Sequence, residues 1–238
     1  MKYPYFCMVF KNKLYNLMAK SSILSSSIAK KVAMALSGLF LVTFLALHFF
    51  INSTSVFSAE TFNVCSHFMG NNPIIQFVMQ PILVAGVVFH FVMGFVLDIQ
   101  NRAARPISYA KNIGAANSSW VSRNMIISGL VVLAFLGLHF YDFWIPEMVY
   151  KYVDVNPIDE TRYFTELVHK FESPVRTGIY CVSFVLLFLH LWHGFNSSMQ
   201  SVGFNNKFSR SLHKFGYAFA VIVPFGFIFI ALFHHFNQ

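Results

Sequence analysis

Charge is what this sequence has least of. Asp, Glu, Lys and Arg make up 11% of its 238 residues, against 56% hydrophobic and 18% aromatic. A water-soluble globule of this length needs more polar surface than that, so a soluble enzyme or binding module is excluded and most of the surface must face lipid. Cysteine is also scarce: Cys7, Cys65 and Cys181 are scattered and odd in number. They imply neither a disulfide framework nor a thiolate metal cluster. The C-x-x-C-H signature of covalent haem attachment is absent, as is any Gly-rich dinucleotide fingerprint, so flavin or dicarboxylate chemistry has no place in this chain.

What is present is a set of long apolar runs. Five of them, at about 31–51, 76–97, 124–145, 175–197 and 215–236, are long enough to cross about 30 Å of hydrocarbon at about 1.5 Å per residue. The expected fold is therefore an all-α integral membrane protein, a bundle of five transmembrane helices. Thirteen of the seventeen basic residues fall before the first run or in the second-to-third and fourth-to-fifth connections, whereas eight of the nine acidic residues, all but Asp98, fall on the other side. Basic residues near span ends stay in the cytoplasm. The N-terminus is thus expected to be cytoplasmic and the C-terminus outside. The +8 net charge is mostly this topology signal; it calls for no nucleic acid, though the cytoplasmic face could seat an acidic partner.

Residues 1–29 read as a basic cytoplasmic segment without a cleavage-site pattern, with 1–17 an extension ahead of an alternative start at Met18. The remainder, 30–238, reads as one transmembrane domain. Ser37-Gly38 suits close packing in the first helix, which Asn52-Ser53-Thr54-Ser55 is expected to break. Asn71-Asn72-Pro73 marks a turn, and Asp159 to Glu172 has the mixed character of a short surface helix on which His169 would be solvated. Ser173-Pro174 reads as the N-cap and first position of the fourth span. Pro224 is expected to kink the fifth, which ends in His234-His235 at the outer surface.

The histidines inside the runs carry the chemistry. An ionisable group within a span costs a few kcal/mol and points to function. Counted from the cytoplasmic ends, His48 and His139 both lie ~25 Å deep, while His90 and His190 both lie ~12 Å deep. His193 comes out at only ~8 Å and matches less well. Four helices thus supply one imidazole each, sorted into two level pairs, as two bis-histidine haems would require. Two imidazoles leave the iron no open position, which suits electron transfer. Gly94 and Gly194, each four residues after a ligand, would let a flat macrocycle lie against the backbone. His193 remains an alternative ligand or a pocket residue. Lys30, Lys31, Arg102, Arg123 and Trp120 are candidate partners for haem propionates, and each is equally an ordinary interface anchor.

Ser37-Gly38-Leu39-Phe40 in the first span and His190-Leu-x-His193-Gly194-x-x-Ser197-x-x-Gln200 in the fourth resemble the dihaem cytochrome b558 subunit of succinate dehydrogenase and fumarate reductase. The likeness covers about residues 20–236. It implies a multi-pass anchor in a bacterial inner membrane, holding a flavoprotein and an iron-sulfur subunit on the cytoplasmic face. Electrons would pass between succinate or fumarate and a membrane quinone, expected to be menaquinone, through two non-covalent b haems of the respiratory chain. It also implies the ligand pairs His48/His139 (distal haem) and His90/His190 (proximal haem), the pairs the depth count gives. Some members carry an acidic residue two positions before the fourth ligand, where this chain has Phe188, which puts a proton route through that position in doubt. Two alternatives stay open. One is another quinone-linked dihaem anchor, of the nitrate reductase or hydrogenase type; the former draws ligands from its last helix, which here has histidines only at its tip. The other is a transporter or channel using the histidines as a proton relay.

Overall fold

The computed structural model describes residues 26–103, 125–204, 206 and 209–237. The expectations placed on Met18, Trp120, Arg123 and the other residues of 1–25 and 104–124 lie outside this set. Among the described residues the chain forms helices and turns only. Five helices are long and apolar enough to cross a membrane: α1 (Ser27–Phe57), α3 (Ile75–Ala103), α4 (Met125–Val153), α6 (Pro174–Ser201) and α7 (Arg210–Phe236). Two shorter ones, α2 (Ala59–Asn71) and α5 (Arg162–Phe171), lie in the connections.

The first span is longer than its sequence suggests, because Asn52–Ser55 does not break it. Asn52 Nδ2 donates to the His48 carbonyl at 2.8 Å, Ser53 Oγ to Phe49 at 2.8 Å, Thr54 Oγ1 to Ile51 at 2.6 Å and Ser55 Oγ to Asn52 at 2.7 Å. Short polar side chains that bond back onto the preceding turn satisfy themselves without leaving the helix. The chain turns instead at Ser58, whose extended backbone (φ −157°) ends α1. Its hydroxyl then accepts from Thr61 N at 3.1 Å and caps α2. At the start of α6 the reading holds: Ser173 Oγ accepts from Arg176 N at 3.4 Å, with Pro174 following.

α6 sits at the centre, packed on α7, α1 and α4, while α1 also packs on α3 and α7. α2 and α5 close one end of the bundle, joined where Asn63 Oδ1 accepts from Phe164 N at 2.8 Å. A buried cluster at this capped end includes Phe62, Leu167, Phe171, Tyr180, Phe184 and Phe227. Leu47, Val88, Val182 and Phe229 are exposed on the flanks, as helices that meet lipid require. At the end of α7 His234 is buried. Its Nε2 lies 2.8 Å from Ser55 Oγ, and the adjacent His235 Nδ1 lies 2.8 Å from the Phe171 carbonyl, so this histidine pair ties α7 to α1 and α5. Pro224 is also buried, inside a helix that runs on without a break.

One close approach fixes how α6 meets α7. A Cβ on Gly216 would stand 1.9 Å from Cδ1 of Phe195, a buried ring. Gly216→Ala is expected to force the two helices apart and to cost about 1–3 kcal/mol or more. An unchanged unfolding midpoint of the detergent-solubilised protein in an SDS titration would contradict this contact.

Candidate functional site

The two level pairs predicted from the sequence are neighbours in space. The His48 and His139 rings are 5.7 Å apart between centroids with planes at 84°, and those of His90 and His190 are 6.4 Å apart at 76°. Each pair draws one ring from α1 or α3 and one from α4 or α6. Two imidazoles bound through nitrogen to opposite sides of one metal, each at about 2 Å, have centroids about 6 Å apart. Both pairs fit that separation. Among the described residues no three His, Cys, Asp or Glu side chains gather as a bare ion would need.

The capped-end pair sits in an aromatic box. Phe44 stacks on His48 at 5.5 Å and Phe227 lies 5.7 Å from it; Phe143, Phe135 and Tyr180 surround His139 at 5.2, 6.0 and 6.5 Å. His139 Nδ1 is buried and has no hydrogen-bond partner among the described residues, an imidazole nitrogen in an apolar pocket that a bound group would satisfy. Directly after His139 the helix widens into a π-helical turn, Phe140–Trp144. This turn buries Asp142, three residues beyond the histidine, where Tyr180 donates its hydroxyl to Oδ2 at 3.0 Å and Arg176 Nε approaches the same oxygen at 3.2 Å. π turns recur at functional positions. Asp142 was not singled out by the sequence reading, although a lone carboxylate one turn past a candidate ligand inside an apolar run was available as a signal.

The second pair is held differently. Ser37 Oγ lies 3.0 Å from His90 Nδ1 and Ser128 Oγ lies 3.3 Å from His190 Nδ1. The residue after each serine is a glycine facing the same ring: a Cβ on Gly38 would meet His90 Cε1 at 3.2 Å, and one on Gly129 would meet His190 Cε1 at 3.6 Å. At Gly94 and Gly194 the nearest atoms a Cβ would meet are methionine tips, Met34 Cε at 3.6 Å and Met125 Cε at 3.4 Å. His193 is partly buried one turn beyond His190. Phe188 packs on Trp192 and Phe225 at 5.6 Å each, an apolar setting. Of the propionate candidates, Arg102 Nε is paired with Asp98 at 2.8 Å and Lys30 Nζ reaches Gln100 Oε1 at 3.4 Å.

These contacts expose a repeat. Met34, Ser37, Gly38, Leu39 and His48 in α1 recur 91 positions later as Met125, Ser128, Gly129, Leu130 and His139 in α4; His90 and Gly94 in α3 recur as His190 and Gly194 in α6. In both copies the methionine meets the glycine and the serine meets the histidine of the partner helix. Helices α1/α3 and α4/α6 are therefore two versions of one hairpin, and each histidine pair takes one ring from each version.

Against known proteins the chain has no match: no family model, curated protein or solved structure aligns with it significantly.

Proposed function

We propose that this protein is a membrane-embedded dihaem cytochrome b, with His48/His139 and His90/His190 as the two axial ligand pairs. The observation that carries the proposal is the doubled pairing: four spans, four imidazoles and two ring separations near 6 Å, built by a repeated hairpin. A bound b haem, which each histidine pair would hold, would supply one-electron transfer. The chain's part is to hold the two ligands of each pair from separate helices, to surround the capped-end site with Phe44, Phe135, Phe143 and Phe227, and to exclude water from both.

More particularly, the Ser-Gly-Leu-Phe and His-Leu-x-His-Gly motifs favour the anchor subunit of a succinate:quinone oxidoreductase. In that role the end opposite the α2/α5 cap faces the cytoplasm and seats an iron-sulfur and a flavoprotein subunit, and electrons cross between them and a membrane quinone, taken to be menaquinone. The test is a reduced-minus-oxidised spectrum of the purified chain with haem quantified per polypeptide. Two b-type haems are expected. One haem would overturn the paired-site reading, and none would leave the proton relay as the better account.

A further inference from the structure

The repeat assigns a role to two serines. Each hydroxyl has a single proton, and each lies at donor distance from the carbonyl one turn back: Ser37 Oγ to Met34 O at 2.8 Å, Ser128 Oγ to Met125 O at 2.9 Å. A hydroxyl committed in this way has only lone pairs left to offer. The histidine nitrogen beside it must then carry the proton, Nδ1–H donating to Oγ, and Nε2 becomes the nitrogen with the free lone pair. Gly38 and Gly129 make the contact possible, since a side chain at either position would press on the ring that the preceding serine holds.

We propose that Ser37 and Ser128 are a matched pair of positioning residues that fix His90 and His190 as their Nδ1–H tautomers, and that this makes the two histidine pairs chemically unequal. Among the described residues the capped-end pair shows no such serine contact. His48 Nε2 lies 3.5 Å from an Asn52 amide whose better contact is the His48 carbonyl, and His139 Nδ1 has no partner among the described residues. An acceptor on the far nitrogen of a ligating imidazole sets the ring's orientation and raises its basicity. A more basic ligand favours the oxidised metal. The tautomer assignment stands on the serine geometry alone; its effect on a redox centre rests on the dihaem reading.

The experiment has two arms. In the full chain labelled with ¹⁵N-histidine and prepared without haem, the nitrogen shifts of His90 and His190 are expected to report Nδ1–H. Ser37→Ala should abolish that preference at His90 only and Ser128→Ala at His190 only, with Ser→Thr restoring each. Finding the Nε2–H tautomer in the unsubstituted chain, or no change in the alanine variants, would overturn the proposal. In the second arm, a redox titration of the haem-loaded chain should show either alanine variant raising the midpoint of one b component and leaving the other in place, by about 59 mV for each tenfold change in the relative stability of the two oxidation states. Equal shifts of both components would overturn the inequality. A normal tautomer result in a chain that binds no haem would instead refute the proposed function and leave the serine assignment intact.

Discussion

Replacing His190 by alanine is expected to halve the haem content, removing one b-type component from the difference spectrum and leaving the other, whereas His193→Ala should leave both. The two histidines stand one turn apart on α6 and look interchangeable in the sequence. Their surroundings separate them. The ring of His190 lies 6.4 Å from that of His90, with Ser128 on its Nδ1. On the dihaem proposal, His190→Ala would leave His90 as the single histidine of its pair to hold the group. Transfer between the two ends should fail with it, because the remaining centre is at the capped end. Loss of a component in His193→Ala with retention in His190→Ala would place the ligand one turn lower and dissolve the pairing.

Arg162→Ala is expected to loosen the α2/α5 cap by about 3 kcal/mol, the scale of breaking a largely buried ion pair from one side. Arg162 is 7% exposed. Its guanidinium pairs with Glu147 at the end of α4 and with Glu166 at 2.7 Å, and lies 4.0 and 4.6 Å from the Tyr150 and Tyr163 ring centres. Burial alone would favour its neutral form, but Glu147 and Glu166 more than offset this and push its pKa above the ordinary value. Tyr163, buried and donating its hydroxyl to Glu147 at 2.6 Å, is likewise held protonated well above its usual range. The arginine is therefore charged at any physiological pH, and truncating it leaves Glu147 with Lys151 and Tyr163 alone. Limited proteolysis between α4 and α5, together with the thermal midpoint, should register the change. A double variant, Arg162→Ala with Glu147→Ala, should cost less than the two single changes added together. Additive costs would show that the pair is not coupled.

The five spans were legible because a lipid-facing helix must be apolar along its whole length, and the histidine pairs were legible because an α-helix rises by a constant amount per residue. The parts that escaped are those where backbone and side chain negotiate locally. Asn52–Ser55 reads as a break only if its side chains are assumed to look outward; bonded to the preceding turn, they extend α1 to Phe57. The π turn after His139 has no compositional mark, yet it decides that Asp142 meets Tyr180 and Arg176. Ser37 was legible as a small packing residue, but its partnership with His90 became visible only beside the equivalent Ser128–His190 contact. The repeat itself is hidden because lipid accepts any apolar side chain, so likeness between the hairpins survives only where Met, Ser, Gly and His touch one another.

Because each histidine pair is shared between the two hairpins, neither pair exists while only the first hairpin has been made. His90 leaves the ribosome 100 residues ahead of His190, a lag of about 5–20 s at about 5–20 residues per second. For that interval His90 has no counterpart, whereas His48 gains its own once His139 is made. Arrival of the third span supplies the partner of His48, and arrival of the fourth supplies the partner of His90. The order of synthesis thus sets the earliest moment at which a group spanning either pair can be inserted, and a chain cut short before α6 would carry the whole of the capped-end pair and half of the other.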